Sequence, residues 1–508
     1  MRYFIAILLT IFLVDSGREA RPRDGGGCTI GVFSGRVTID HRPILWKNRD
    51  VTNAVQKFCY YPRSIHGSDT TFAFTGNTYS HDTTRVYMGA NEVGFAVINA
   101  NSYNLNDYMT DGIDDGALMR MALEHCRTLA DFERILDITS IIGRRDCWNF
   151  GAIDAFGNGA IYEAANNYYT KFDVNDPRNE NDGLILRVTF SYSGGDSLDG
   201  FARLKRATEL VTTRLRSNPI DIKFVVQALA RDLANPYDNP YPLPYNGTQN
   251  GRPQGFILTE DITINRNVTR SLMAIRGVIP GEDPRLTTMY SMIGPPVLSV
   301  VYPLWVEAAS VPAYLNSGSS VPMYVQVMQR RQRLYGLGSD NPYLDSRYLI
   351  GKDSVGLFTY TLPLENRILN MTDNYLNSWR QEIPSASVFR NAQNAVAETA
   401  YQNYIHFPLD FPQSQEIASA PSLANYPNPF NSSTTISLSN FKAGSRVEVY
   451  IYDLMGRKIR TFDAIGGRDN SVIWNGRDGD NQPLASGVYI IQASDAAMSL
   501  SSKAIMLK

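Results

Sequence analysis

The chain has 508 residues, long enough for roughly two or three domains. Its 48 Lys and Arg nearly balance its 50 Asp and Glu, for a formal net charge of -2, and no basic stripe is interleaved with aromatics, so nothing favours a nucleic-acid partner. The four cysteines, Cys28, Cys59, Cys126 and Cys147, are too few for a disulfide scaffold.

The chain starts with Arg2 and an apolar run over residues 4–14, closed by Asp15 and Arg18. That run is too short to span a bilayer and reads as a secretory signal peptide. We assign residues 1–20 to the signal and 21–27 to a short propeptide. The propeptide ends in Gly25-Gly26-Gly27, and Cys28 follows at the head of an apolar strand. A cysteine so placed can become the first residue of a mature chain, its own α-amine serving as base for its thiol. The bland reading is a buried core cysteine. If Cys28 is a free nucleophile, the other three cysteines can form at most one disulfide. The 29 Tyr and 22 Phe are consistent with export.

In chain order, strands are expected over 29–38, 44–46, 71–75 and 94–99. Leu118, Ala122, Cys126 and Leu129 recur at helical spacing, which predicts a helix over 116–129, followed by another over 131–141. Residues 149–155 and 160–164 form a hairpin around Phe156-Gly157-Asn158-Gly159. A strand at 182–190 and helices at 202–215 and 221–230 come next. Residues 234–255, rich in Pro, Asn, Tyr and Gly, read as a surface loop. Strands are expected at 259–267 and 271–274, and helices at 323–333, 365–382 and 386–404.

A linker is expected at 411–424, and beyond it helix content drops. Strands at 434–438, 446–452, 458–462, 470–474, 487–493 and 502–506, with turns at Asp453-Leu454-Met455-Gly456 and Gly476-Arg477-Asp478-Gly479, read as a small all-β sandwich over 425–508.

The five histidines (His41, His66, His81, His125 and His406) show no metal-ligand spacing, and no phosphate loop, dinucleotide fingerprint or calcium loop is found. No metal or cofactor is expected. The Asp-rich stretch at 107–115 reads as solvated loop or helix caps. The Asn-x-Ser/Thr triplets at Asn246, Asn267, Asn370 and Asn431 are glycosylation acceptors in form only.

Cys28-Thr29, the stretch 35–50 with Leu45-Trp46-Lys47-Asn48-Arg49-Asp50, the stretch 91–101 and Asn149-Phe150-Gly151-Ala152-Ile153-Asp154 resemble the choloylglycine hydrolase and penicillin acylase superfamily of N-terminal-nucleophile hydrolases. They are most similar to its autoproteolytic branch of isopenicillin-N acyltransferase and carcinine hydrolase. The resemblance is dense over 28–215 and thinner to 410. It implies an α+β fold, a four-layer αββα sandwich over 28–410, with cleavage between Gly27 and Cys28 and attack on a linear amide. Residues 425–431, 452–458, Trp474-Asn475-Gly476, Ser486-Gly487-Val488-Tyr489 and Met506-Leu507-Lys508 resemble the sorting domain of type IX secretion. That implies an immunoglobulin-like tail and the secretion machinery as partner. The protein would pass the periplasm and end secreted or attached to the cell surface. An ordinary immunoglobulin-like appendage is the alternative.

The superfamily pattern assigns roles by position. Cys28 is the nucleophile, and Asp50 holds its α-amine, with a turn cap as the alternative. Lys47 stands where related enzymes carry arginine; it keeps a charge near the thiolate but loses the bidentate fork, and a solvent-facing lysine is the alternative. Arg49 is read as structural. Asn101 is the oxyanion donor, with Asn99 its rival on the same strand face. A second oxyanion asparagine is replaced by Thr189, unless Asn166 or Asn167 takes that place. Losing an oxyanion donor can cost roughly 3 kcal/mol. Arg203 supports Cys28 and Asp50, with Arg206 the competing choice and a surface arginine the bland one.

The expected function is a secreted, self-processing cysteine amidohydrolase acting through a thioester on a small-molecule or short-peptide amide. N-acyl amino acids, acylated amines and small peptides rank above β-lactam side chains and bile-salt conjugates. An acyltransferase of the same kind and a catalytically inactive binding protein are the alternatives. Self-association into a homo-oligomer stays open.

Overall fold

The computed structural model describes residues 27–507 other than 53, 67–68, 106–111, 179–182, 198, 237–255, 336–341, 351–355, 412–421, 427, 440, 443, 467–469 and 497. The expected signal peptide, most of the propeptide, most of the 234–255 loop and most of the linker lie outside these residues. Two compact units emerge: one formed by 1–241, 258–344 and 357–410, the other by 242–257, 345–356 and 411–508.

The first unit is built on two antiparallel sheets. The strands are β1 (Thr29–Phe33), β2 (Ile44–Asp50), β3 (Gln56–Tyr61), β4 (Phe74–Tyr79), β5 (Met88–Asn91), β6 (Ala96–Asn101), β7 (Trp148–Ile153), β8 (Gly159–Ala164), β9 (Tyr169–Asp173), β10 (Leu184–Arg187), β11 (Thr269–Arg276), β12 (Thr288–Ile293) and β13 (Tyr302–Leu304). One sheet runs β10-β1-β2-β11-β12-β13 and the other β9-β8-β7-β6-β5-β4-β3. The two pack face to face: β1 and β2 touch β6 and β7, and Leu45 reaches Gly151 across the gap. β1 and β2 are therefore buried over their whole length, polar residues included.

Helices cover the outer faces. α1 (Asp115–His125) is capped by Asp114, which accepts from the Ala117 amide, and α2 (Leu129–Ile142) opens with a Thr128/Asp131 capping box. Their Leu118, Ala122, Phe132 and Leu136 share one apolar core with Val97, Phe150 and Tyr162 of the seven-stranded sheet. Each Leu, Val or Phe among them, fully buried, contributes about 1.5–3 kcal/mol. On the other sheet, α3 (Phe201–Leu215) lies against β10, α4 (Pro322–Tyr335) against β12 and α6 (Ala386–Ile405) against β13. α5 (Phe358–Trp379) packs on α6.

Several expected elements shift. β1 stops at Phe33, where Gly35 lies so close to the His41 carbonyl that a Cβ would meet it at 2.2 Å. β2 runs on to Asp50 because β11 pairs with it through Thr269 and Asp50. The expected first helix splits: Cys126 caps α1 in extended backbone and Thr128 starts α2. The expected 221–230 helix is one α-turn, Ile222–Phe224, followed by a π-helical turn, Val225–Leu229. The strand expected at 259–267 is irregular chain instead. Its Asn265 amide donates to Asp232 and its Asn267 amide to Thr259, turning it away from sheet pairing.

The second unit holds the tail. β14 (Ser422–Tyr426), β15 (Thr434–Ser439) and β18 (Asn470–Trp474) form one sheet. β17 (Lys458–Ile465), β16 (Arg446–Tyr452), β19 (Gly487–Ser494) and β20 (Ser499–Met506) form the other. Val447, Val449 and Ile451 alternate inward with exposed or half-buried neighbours. They join Ile436, Leu438, Trp474, Ile491 and Met506 in a single core. At the expected turn, Gly456 has φ 78°, and the Asp453 carboxylate accepts from the Met455 and Arg457 amides.

Candidate functional site at the head of the first strand

The site follows from strand alternation. Antiparallel pairing sets Ile30 opposite Lys47 and Thr29 opposite Asn48. Ile30, Lys47 and Arg49 therefore share the face turned to the seven-stranded sheet, and Thr29, Asn48 and Asp50 the face turned to the helices. Cys28 sits one residue ahead of β1, buried, on the face of Lys47 and Arg49 and within electrostatic reach of both.

On the helix side, Asp50 is fully buried. It accepts from Thr269 Oγ1 at 2.6 Å, from Arg266 Nη1 at 3.2 Å and from Arg203 Nη1 at 3.4 Å. The same two arginines hold the backbone carbonyl of Gly27: Arg266 Nη1 donates to it at 3.1 Å, and Arg203 Nη1 donates to it as well. Asp261 ties the pair from the other side, 2.9 Å from Arg203 and 3.5 Å from Arg266. Two guanidiniums are thus clamped between an inner and an outer carboxylate, with the Gly27 oxygen between them. Burial raises the Asp50 carboxyl above its ordinary pKa despite both arginines, and burial beside Arg266 lowers that of Arg203.

Arg203 comes to this place because Arg203, Leu204, Ala207 and Val211 form the buried stripe of α3. Arg206 lies off that stripe and pairs with Asp232 at 2.9 Å. Thr189 also faces Gly27. Its Oγ1 accepts from Arg203 at 3.4 Å, and its methyl group stands 2.1 Å from where a Cβ on residue 27 would fall. Only glycine fits there without displacing Thr189.

On the inter-sheet side, Lys47 Nζ donates to Asn99 Oδ1 at 2.5 Å and to the Tyr87 carbonyl at 3.0 Å. Asn99 in turn donates to Asp115 at 2.8 Å. Burial brings Lys47 down from 10.5 to about 8. Asn101, at the end of β6, hydrogen-bonds Tyr103, a residue within electrostatic reach of Cys28. Asn166 is spent elsewhere, donating to the Arg144 carbonyl.

The structure therefore gathers Gly27, Cys28, Lys47, Asp50, Thr189 and Arg203 around one strand end, with Asn101 on the neighbouring sheet. It adds Arg266, Asp261, Thr269 and Asp115, which sequence reasoning passed over. Arg266 and Asp261 fall in the stretch taken for a strand. Asp115 falls in the acidic stretch read as solvated loop or helix caps; Asp114 is indeed a cap, but Asp115 is a buried acceptor whose carboxyl burial raises. All four cysteines are buried, and none is disulfide-bonded. Among the described residues, no three His, Cys, Asp or Glu side chains are grouped to hold a metal ion.

Residues 37–185 match the family acyl-coenzyme A:6-aminopenicillanic acid acyl-transferase, and residues 424–507 match the secretion system C-terminal sorting domain. No curated protein matches the chain in sequence. Among solved structures, a conjugated bile acid hydrolase from Clostridium perfringens is similar at 13% identity, over 52% of this chain and 89% of its own, with a TM-score of 0.34. Penicillin V acylase from Agrobacterium tumefaciens is similar at 17% identity, over 55% and 86%, also with a TM-score of 0.34. PorZ, a surface component of the type-IX secretion system of Porphyromonas gingivalis, is similar at 26% identity, over 17% of this chain, with a TM-score of 0.14. This chain spans only 11% of PorZ. The sorting domain marks the protein as secreted by the type IX route or attached to the cell surface. The chain thus joins a segment that matches the acyl-coenzyme A:6-aminopenicillanic acid acyl-transferase family, at 37–185, to one that matches the secretion system C-terminal sorting domain, at 424–507.

Proposed function

We propose that the protein is a self-processing cysteine amidohydrolase with an N-terminal nucleophile. The observation that carries this reading is the Gly27 carbonyl, held by Arg203 and Arg266 immediately before Cys28. In self-cleavage, Cys28 Sγ bonds to the Gly27 carbonyl carbon, and the two guanidiniums balance the charge developing on its oxygen. The Gly27–Cys28 C–N bond then breaks, its nitrogen takes up the thiol's proton, and a thioester remains. Water hydrolyses that thioester, leaving a Gly27 carboxylate, a free Cys28 thiol and a free α-amine.

The mature site would then act on a linear amide. Cys28 attacks the amide carbonyl, the amine leaves, and water resolves the second thioester. Asp50 orients the new α-amine, Lys47 supports the thiolate, and Asn101 donates to the oxyanion. Thr189 shapes the Gly27 subsite while its hydroxyl accepts from Arg203. Acylated amino acids, acylated amines and small peptides are the candidate substrates. The family match at 37–185 favours a second reading, in which an amine rather than water takes the acyl group.

The layered sheets and helices support an αββα N-terminal-nucleophile hydrolase domain over 28–410, preceded by a signal at 1–20 and a propeptide at 21–27. The two tail sheets support an immunoglobulin-like sorting domain at 425–508 after a linker.

Intact mass and N-terminal sequencing of protein made without its signal test this directly. The wild type is expected to begin at Cys28 and Cys28→Ala to stay uncut. A propeptide kept in both, with Cys28 inert to thiol reagents, would point to a binding role instead.

A further inference from the structure

We propose that Arg49 is the carboxylate-binding residue of the Cys28 site, and that the substrate is an N-acyl α-amino acid carrying a free carboxylate. The proposal rests on the reading of Cys28 as nucleophile. Thr29 faces Asn48 in the last pair of β1 and β2, and Cys28, one residue ahead of β1, shares the face of Arg49 and lies within electrostatic reach of it. An anion on Arg49 is therefore on the same face as the reacting sulfur.

Arg49 is 5% exposed, and its surroundings hold it still without satisfying it. Its guanidinium carbon lies 3.8 Å from the Tyr87 ring centre and 4.9 Å from that of Tyr79. Nε donates to Gln56 Oε1 at 2.9 Å. Nη2 is buried and has no hydrogen-bond partner. Among the described residues, no carboxylate lies within ion-pair distance of it. A buried, charged donor left unmade is costly, and the cost is offset when a ligand completes it. A planar guanidinium pinned on aromatic faces suits a carboxylate. Neighbouring Lys47 is not such a seat, because its ammonium is already spent on Asn99 and the Tyr87 carbonyl. Because Arg49 shares a face with Cys28, a carboxylate held there lies on the side of the scissile amide. The α-carboxylate of an amino-acid leaving group meets that condition.

Alkylation of mature Cys28 by iodoacetate and by iodoacetamide tests this without a known substrate. Peptide mapping assigns the label, and thermal melting checks the fold of each variant. In the wild type, the iodoacetate-to-iodoacetamide rate ratio is expected to exceed that of free cysteine. Arg49→Gln should lower it about tenfold, the size of one hydrogen bond to a charged group, the loss with iodoacetate exceeding any loss with iodoacetamide. Arg49→Lys should retain part of the preference. Equal losses with both reagents, or an unchanged ratio, would overturn the assignment of Arg49 alone. No labelling of Cys28 by either reagent would remove the nucleophile and the proposal together.

Discussion

Arg266 donates a hydrogen bond to the Gly27 carbonyl oxygen at 3.1 Å while the same nitrogen lies 3.2 Å from the Asp50 carboxylate. One buried guanidinium thus links the bond ahead of Cys28 to the carboxylate assigned to its amine. In the proposed self-cleavage, an oxygen that gains charge between Arg266 and Arg203 would be stabilised most at the tetrahedral stage.

Removing that donor should slow the cut. Arg266→Ala is expected to reduce propeptide release roughly 10²–10³-fold, the range for a lost oxyanion donor. Arg206→Ala, on the same helix as Arg203, should leave the cleavage rate of the folded protein little changed, because that guanidinium is held by Asp232 and not by Gly27. Intact mass against time after refolding reads both. Equal rates in the Arg266 variant and wild type would remove the guanidinium from the cleavage step.

Gly27 should tolerate no side chain, and for an identifiable reason. A Cβ there would stand 2.1 Å from Thr189 Cγ2, so Gly27→Ala is expected to stay uncut or to cut far more slowly. Thr189→Ser deletes that methyl group and keeps the oxygen that accepts from Arg203. The double variant Gly27→Ala/Thr189→Ser should regain much of the processing. A double variant as slow as Gly27→Ala alone would mean that the clash is not the cause.

Lys47 is expected to set an alkaline limit. Burial lowers its pKa from 10.5 to about 8, so the ammonium is present below pH 8 and is lost as pH rises through it. Turnover that needs this cation beside the thiolate should fall above about pH 8. Lys47→Arg keeps its charge throughout, because arginine does not titrate in this range. Its alkaline limb should vanish, as kcat/KM for an amide substrate between pH 6 and pH 10 will show. The same falling limb in both proteins would assign it to another group.

The tail carries the address. A chain truncated before residue 424 should fold and self-cleave but remain cell-associated within the envelope, while the tail fused to a reporter should take it outside. Fractionation of culture, surface and periplasm by immunoblot checks both. Export of the truncated chain would show that the sorting information lies elsewhere.

Much of this molecule was legible along the chain because local patterns carry it. Helical spacing marked α3 and α6 almost residue for residue, and turn residues such as Asp453 and Gly456 marked the tail hairpins. Cys28, Lys47 and Asp50 could be grouped from sequence because the superfamily resemblance assigns them by position, within one short stretch of chain. Their opposite facing follows from strand alternation once the register is known.

Only the tertiary structure could bring in the rest. Arg266 meets the Gly27 carbonyl across 239 residues of chain and Asp50 across 216, from a stretch of irregular backbone with no periodicity to read. The clash that makes Gly27 obligatory depends on a methyl group of Thr189, far off in sequence. The orphaned nitrogen of Arg49 is visible only once two sheets close over it. Short-range patterns decide which elements form, because backbone hydrogen bonds and side-chain periodicity act between near neighbours. Which charges end up buried together is decided by how those elements pack, and that is where the chemistry of this site resides.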